Sequence, residues 1–204
     1  MSGLGGPIDR RRAASGRGQR AARLSVGEYA LLGMLAVAPE SETGVHGYDL
    51  SKRLHDGPLA EIIRIESGML YHYLKKLAKA ELITTVVERQ ANRPDRQDHQ
   101  LTVTGRAMLM TWLREPVRAT RDIRLDFLVK LSFARELSPD LATDLVHAQQ
   151  AVIAQLVTSL QQQLDAIGAE AGDDVIRRTV LELRLAQTGA VRAWLEALHE
   201  FADA

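Results

Sequence analysis

The sequence predicts a mainly α protein with one short β-hairpin in its front half. Apolar residues recur at three- and four-residue spacing through most of residues 25–200, and residues 82–103 hold two apolar or β-branched runs around a polar turn. The predicted order is helix, helix, helix, hairpin, helix, and then helices only. A hairpin that directly follows a helix-turn-helix makes the domain winged. We therefore predict an N-terminal winged helix-turn-helix domain and a C-terminal dimerisation domain of long antiparallel helices.

The composition excludes several classes of protein. The chain has 204 residues, of which 46% are hydrophobic and 25% charged, as is ordinary for a soluble globular protein. It has no cysteine, which excludes disulfides and thiolate metal sites. No run of about 18 apolar residues is present, and no apolar stretch follows Arg10–Arg12, so we expect neither a membrane span nor a secretory signal. We expect a cytoplasmic location.

A charge gradient runs along the chain although its net charge is zero. Residues 1–24 carry six Arg and one Asp, residues 25–114 carry eleven basic and eleven acidic side chains, and residues 115–204 carry nine basic and fourteen acidic side chains. This asymmetry indicates that the front of the chain meets an anion and the back does not. The predicted division is a disordered Arg/Gly-rich arm at 1–23, the winged domain at 24–114 and the dimerisation domain at 115–204.

The first helix follows the arm. Ser25 and Glu28 fit a capping box, in which each side chain accepts a hydrogen bond from the other residue's backbone N–H, and Pro39 ends the helix. Its apolar positions are Val26, Tyr29, Leu32, Leu35 and Ala36.

The second and third helices form the predicted helix-turn-helix. HGYDLSKRLHDG is short and stops at Gly57-Pro58, and the LAEIIRIE segment after it is ambiguous between a strand and a connection. Ser67 is placed to cap the third helix, SGMLYHYLKKLAKAEL.

The hairpin and the fourth helix complete the winged domain. LITTVVER and HQLTV are predicted strands, and the polar RQANRPDRQD segment between them is the turn. Thr102 fits the N-cap of a helix over GRAMLMTWL that stops before Pro116.

The back half is predicted to be helical throughout. DIRLDFLVKLSFAREL forms one helix, and Ser138-Pro139 starts the next with an N-cap and a first-position proline. Gly168 and Gly172 bracket a turn, and Asp173-Asp174 start the last helix with charge that suits its positive end. The apolar seams of the last two helices are Leu141, Leu145, Ala148, Val152, Leu156, Leu160, Leu164 and Ile167, and then Ile176, Val180, Leu183, Gln187, Ala190, Trp194, Leu198 and Phe201.

These seams predict a homodimer. Two helices of about 30 residues, each roughly 45 Å long, carry more apolar surface than one hairpin can cover. The alternative is that they pack only on each other and on the winged domain. Gln187 interrupts the last seam, where a buried polar residue fixes register or binds a ligand; we favour register.

One face of the third helix is a candidate DNA-binding surface. Leu70, Leu74 and Leu77 cluster on one side at 100° per residue and form the core stripe. Ser67 and the free N–H groups of the first turn suit an anion, and a recognition helix lays its N-terminal residues in the major groove. The opposite side carries Gly68, His72, Lys75, Lys76 and Lys79, with Tyr71 and Tyr73 on its borders.

A solvated lysine face is the alternative interpretation of this surface. The hairpin behind the helix favours DNA, because a winged domain places its wing tip at the adjacent minor groove or backbone. The cationic residues of the predicted tip are Arg89, Arg93 and Arg96, beside Asn92.

Three segments resemble the PadR family of bacterial transcriptional regulators. GYDLSKRL at 47–54 carries the G-Y-x-L of the family's second helix, and it adds Tyr48 to the DNA-binding set. SGMLYHYLKKLAKAELI at 67–83 is similar to the recognition-helix pattern G-x-[LI]-Y-P-x-L-x-x-L, and HQLTVTG at 99–105 to Y-x-L-T-x-x-G. The resemblance implies a dimeric repressor of double-stranded DNA that loses affinity when a phenolic or other hydrophobic effector binds.

The chain departs from the family pattern at four positions. His72 stands where the family has Pro, Tyr73 where it has a small residue, Glu81 where it has Gly, and His99 where it has Tyr. His72 and Tyr73 lie on or beside the predicted DNA face, so we expect the specificity of this protein to depend on them.

The predicted DNA-binding residues divide into two groups. Tyr71 and His72 read bases, and the wing grips the flanking backbone. Phosphate neutralisation supplies much of the affinity, so binding should weaken steeply with salt. The N-terminal arm either adds a further anchor or contributes nothing measurable. The predicted phosphate-binding cations are Lys75, Lys76, Lys79, Arg89, Arg93 and Arg96.

The sequence locates the effector site only loosely. Trp112 and Trp194 are candidates to line an apolar pocket between the winged domain and the dimer helices, although aromatic core packing is the more common role.

The sequence leaves two alternative functions to consider, an enzyme and a protein-binding adaptor. An enzyme is disfavoured, because the chain has no G-x-S-x-G, no Walker loop and no H-E-x-x-H, and its six His show no paired metal spacing. We therefore expect no catalytic residues, metal or cofactor. A winged-helix adaptor that binds protein would be expected to carry a neutral or acidic third helix.

Overall fold

The computed structural model describes residues 24–39, 44–88, 96–167 and 175–198. The predicted arm, most of the predicted wing tip and the Gly168–Gly172 turn lie outside these ranges. Asp173-Asp174 and Phe201 also lie outside them.

Four α-helices and a three-stranded sheet make up the described front half. The helices are α1 (Val26–Ala36), α2 (Gly47–Asp56), α3 (Ser67–Lys79) and α4 (Val103–Arg114). The strands are β1 (Val45–His46), β2 (Ile83–Glu88) and β3 (Arg96–Leu101), in the sheet order β1-β3-β2. The predicted winged helix-turn-helix is thus confirmed. The ambiguous LAEIIRIE segment is a 3-10 turn at Pro58–Glu61 followed by a connection.

The sheet joins the wing to the helix-turn-helix. β2 and β3 pair antiparallel from Ile83↔Leu101 to Glu88↔Arg96. β1 pairs antiparallel with β3 at Val45↔His99 and His46↔Asp98. The sequence analysis missed β1, because a two-residue strand has no periodicity of its own and is specified by its partner.

Local capping predictions have mixed outcomes. The Ser25–Glu28 capping box is present at the start of α1, and the Thr102 side chain accepts from the Gly105 N–H at 2.9 Å. The prediction for Ser67 was wrong: Glu66 is the N-cap of α3, Ser67 is the first helical residue, and no side chain caps this end. The free N–H groups of the first turn therefore stay available to a ligand.

The back half is helical in its described part. Residues 122–137, predicted as one helix, comprise the end of a 3-10 turn (Thr120–Asp122), a π-helical stretch (Ile123–Phe127) and α5 (Leu128–Leu137). The long helices are α6 (Pro139–Asp165) and α7 (Val175–Ala197). Within the described ranges, no helix combines the length and the apolar character needed to cross a bilayer.

A continuous core connects the two halves. Gly33 of α1 lies so close to Phe133 of α5 that a Cβ on the glycine would approach the ring to 2.5 Å. Gln149 of α6 is fully buried and pairs with the backbone of Val117, accepting from N–H at 2.8 Å and donating to C=O at 2.9 Å. α5 and α6 therefore pack directly against the winged domain and the segment that follows it.

The seam predicted along α7 is not the one that faces α6. Leu181, Thr188 and Leu195 are buried, whereas Ile176 is 75% and Leu183 58% exposed. The predicted seam thus lies mostly on the outer side of the helix hairpin, where Val180, Gln187 and Ala190 are also exposed and Trp194 is partly so. Gln187 does not fix the register of α7 on α6; Thr188 is the buried polar residue, 3.0 Å from the Thr120 hydroxyl.

Candidate nucleic-acid interface

The helix α3 has one buried and one exposed face, as its sequence predicts. Leu70, Leu74 and Leu77 are buried. Gly68 is exposed, and a Cβ at that position would meet nothing within 4 Å, so packing within the chain does not require a glycine there. The exposed polar side chains of this face are Ser67, His72, Lys75 and Lys79.

An aromatic pair lies at the junction of α2 and α3. Tyr48 is 65% exposed and Tyr71 52% exposed. The Tyr71 ring packs over the first residue of α2, because a Cβ on Gly47 would lie 3.1 Å from Tyr71 Cε1. The two predicted DNA-binding tyrosines are therefore presented beside the cations of α3, on the two helices of the helix-turn-helix.

Lys76 differs from the other lysines of α3. Its Nζ lies 2.7 Å from Oε1 of Glu28, a carboxylate that is only 1% exposed. The contact is an ion pair between a half-exposed lysine and a buried carboxylate. The other oxygen of Glu28 accepts from Ser25 N–H at 2.7 Å. Burial would raise the pKa of Glu28, but the Lys76 ammonium and the Ser25 donors outweigh it and leave this pKa below its ordinary value.

Tyr73 does not lie on the DNA face, contrary to the expectation from sequence. Its ring is half-buried and packs against α1, where a Cβ on Gly27 would come within 2.7 Å of Tyr73 Cε2 and 3.4 Å of Ile65. The departure from a small residue at position 73 is therefore accommodated by the absence of a side chain at Gly27. Of the two departures expected to set specificity, only His72 is exposed on this face.

The structure covers the wing only at its base. Arg96 lies in β3, in the rung opposite Glu88. Arg89 and Arg93 fall in residues 89–95, outside the described ranges, and their proposed contacts stay predictions.

A histidine cluster at the base of the wing was missed by the sequence analysis. His46 Nδ1 lies 3.0 Å from the Gln97 carbonyl oxygen and 3.5 Å from Asp98 Oδ1. Asp98 and His99 are each 3% exposed. Burial lowers the pKa of His99, the Asp98 charge opposes this shift, and His46 adds to it. The β1–β3 register brings His46 next to Asp98 and His99, and no spacing in the sequence predicts that register.

A second site lies between the winged domain and the back half. Tyr29 and Trp112 stack with ring centres 4.3 Å apart. The buried Lys130 donates to the Glu115 carbonyl, and its Nζ lies 4.8 Å from the Trp112 ring centre. These residues line a cavity of about 1320 Å³ whose far side is formed by α6 at Val152 and Leu156. Trp112 thus both packs in the core and lines this cavity, whereas Trp194 packs edge-on against Phe127 at 6.0 Å.

The fold and this face together define a winged-helix transcriptional regulator. Residues 34–111 match the family model described as "Transcriptional regulator PadR-like family", and residues 123–201 match the model "Virulence activator alpha C-term". Residues 34–111 are therefore a PadR-like domain, and the described role of that family is transcriptional regulation rather than catalysis.

Several solved structures are similar to the chain. Bacillus subtilis PadR in complex with operator DNA is 24% identical over 87% of this chain and 99% of that chain, with a TM-score of 0.42. The same protein in complex with p-coumaric acid is 25% identical over 88% and 100%, with a TM-score of 0.37. A protein of Streptococcus mutans is 24% identical over 84% and 96%, with a TM-score of 0.39. No curated protein matches the chain.

Proposed function

We propose that this protein is a cytoplasmic, homodimeric repressor that binds a specific double-stranded DNA operator and releases it when a small aromatic effector binds. The observation that carries the proposal is the exposed face of α3, where cationic side chains flank an exposed histidine and two exposed tyrosines at the base of a wing. A neutral or acidic face would have favoured a protein-binding adaptor instead.

The DNA contacts are divided between α3, α2 and the wing. Lys75, Lys79 and the wing arginines neutralise phosphates, and the free N–H groups at Ser67 and Gly68 donate hydrogen bonds to a further phosphate. Tyr71 and His72 contact base edges in the major groove, with Tyr48 beside them. Lys76 also belongs to the phosphate-binding group, but it has a second role, because its ammonium already pairs with Glu28.

The back half provides the contact with the second protomer and one side of the effector site. The exposed apolar stripe of α7, centred on Ile176, Val180 and Leu183, is covered by the same stripe of another protomer. A flat aromatic effector occupies the cavity beside Trp112 and Lys130. Because that cavity is bounded by α1, α4 and α6, its occupant contacts both the winged domain and the dimerisation domain. The arm adds phosphate contacts through its arginines.

Titration of fluorescent DNA from the region upstream of the protein's own gene tests the DNA-binding role. We expect specific binding that weakens steeply as salt is raised. Lys75→Ala and Lys79→Ala should weaken binding to specific and scrambled DNA alike, and His72→Ala should change the preferred sequence. The lack of any specific binding at low salt would overturn the proposal and leave the adaptor. Identical behaviour of the lysine and histidine variants would refute the division of roles.

A further inference from the structure

Three titratable side chains meet where the wing joins the helix-turn-helix. His46 lies in β1, and Asp98 and His99 lie in β3, in adjacent rungs of the same antiparallel pair. The ring of His99 points away from solvent, and its Nδ1 lies 3.0 Å from the Thr85 hydroxyl of β2. His99 Nε2 is buried and, within the described part of the chain, has no hydrogen-bond partner.

His99 lies close to Gly47, the residue over which the Tyr71 ring packs. The position that a Gly47 side chain would take is 3.1 Å from Tyr71 Cε1 and 3.8 Å from His99 Nε2. The Tyr71 ring and the unpartnered nitrogen therefore pack against the same small space at the N-terminus of α2. The absence of a side chain at Gly47 lets the recognition helix, the wing and α2 meet at this point.

We propose that His99 is a positioning residue for DNA recognition: its neutral imidazole supports Tyr71 against the start of α2, and protonation of His99 disturbs that support and weakens operator binding. The inference rests on the proposed role of Tyr71 at the DNA. A neutral imidazole carries one N–H, and in the tautomer protonated at Nδ1 that N–H donates to the Thr85 hydroxyl and leaves no hydrogen on Nε2. An imidazolium has two donors, and its buried Nε2–H would have no acceptor, which is costly.

The charges around His99 agree with this direction. Asp98 is adjacent on β3 and favours the imidazolium, His46 on β1 disfavours it, and α3 contributes only the Tyr71 phenol. Burial prevails and lowers the pKa of His99, so the folded protein holds this residue neutral. The unfolded chain binds the proton more readily. The neutral His99 thus stabilises this junction above the ordinary histidine pKa of about 6.5, and the contribution is lost as the pH falls through the lower folded value.

The test is operator affinity of the full-length protein between about pH 8 and about pH 5.5, the range in which histidines titrate. We expect affinity of the wild type to fall about tenfold toward acid, the change that an unsatisfied buried donor is worth. His99→Tyr, which installs the residue of the family pattern, and His99→Gln should both give a profile without this fall. His55→Gln is the matched control, because it removes an exposed histidine of α2 that lies outside the proposed DNA-binding set and should keep the fall.

The ¹⁵N shifts of the imidazole of His99 provide a second readout, because they report its protonation at each pH directly. Protonation should coincide with the loss of affinity while circular dichroism shows the fold intact. A wild type that binds DNA with the same pH profile as both His99 variants overturns this inference alone. The absence of operator binding at about pH 8 overturns the proposed function and this inference with it.

Discussion

The Nζ of Lys76, on α3, lies 2.7 Å from Oε1 of Glu28, on the first turn of α1. The same carboxylate caps α1 through Ser25. The buried Glu28 side chain therefore contacts both the start of α1 and the helix α3, and it couples the position of α3 to the first turn of α1. Its neighbour Lys75 is fully on the exposed face, so two consecutive lysines of the same helix have different physical roles.

Exchange of each of these lysines for methionine separates the two roles. Lys76→Met leaves the buried Glu28 without its cation and should lower the free energy of unfolding by about 1–3 kcal/mol, a range reduced because the lysine is itself half-exposed. Lys75→Met should change stability by less than about 0.5 kcal/mol and weaken DNA binding instead. Urea unfolding and DNA titration of both variants check this. Equal loss of stability in the two variants would contradict it.

Acid should destabilise the protein through Glu28. The pKa of this carboxyl is lower in the folded state than in the unfolded chain, so its contribution to stability is fully present above the unfolded value. That contribution disappears as the pH falls from the ordinary Glu value of about 4.3 through the lower folded value. Glu28→Gln should be less stable at neutral pH and lose less stability on acidification. Thermal melts from neutral to acidic pH measure both slopes, and parallel slopes would speak against the assignment.

Gln149 should be among the polar residues of the back half that tolerate substitution least. Gln149→Leu removes both partners of the Val117 backbone and leaves a buried N–H and C=O unsatisfied, which should cost about 2–4 kcal/mol. Gln162→Leu, on the exposed side of the same helix, should cost less than about 0.5 kcal/mol. Chemical unfolding of the two variants gives the comparison. A Gln149 variant as stable as the control would show that water replaces the lost bonds.

Local features were predictable from sequence, and features that depend on distant partners were not. The Ser25–Glu28 and Thr102 caps were found because donor and acceptor lie three residues apart. Gln149 gave no signal, because a glutamine on an amphipathic helix is ordinarily exposed and its partner lies 32 residues away. The position of Tyr73 at the border of the face left the direction of its ring open, because the space that receives the ring is created by Gly27 on another helix.

The long helices illustrate a second limit. Along α7 apolar residues recur on two faces, one through Leu181 and Leu195 and one through Ile176, Val180 and Leu183. Periodicity identifies both faces but cannot tell which one meets α6, since that depends on the geometry of the hairpin. The sequence offers Trp112 as a candidate pocket residue but favours core packing, and it gives no sign of Lys130, which reaches that ring from a different helix.

The two tryptophans allow the effector site to be monitored. In a Trp194→Phe variant the remaining fluorescence comes from Trp112, which lines the cavity. Small aromatic acids that occupy the cavity should quench it and raise the melting temperature, because a ligand that binds only the folded state stabilises that state. The reciprocal Trp112→Phe variant should show little quenching from Trp194. Equal quenching in both variants, or none in either, would exclude this cavity as the site for those compounds.

The outer face of α7 should form the dimer contact. Ile176, Val180, Leu183 and Trp194 fall within roughly 60° of one another on the helix at 100° per residue, and all four are exposed in the protomer. Leu183→Glu places a charge in the middle of this apolar stripe, so we expect light scattering to show conversion from twice the protomer mass to a monomer. Operator affinity should fall as well, since a dimer engages two half-sites at once. Ala186 is also exposed, but it lies roughly 60° from Leu183 and roughly 80° from Ile176 and Trp194 around the helix, outside the stripe. Ala186→Glu should therefore leave both mass and affinity unchanged. A Leu183→Glu variant that stays dimeric would assign the interface to another surface, whereas a monomer with unchanged operator affinity would show that one protomer suffices for recognition.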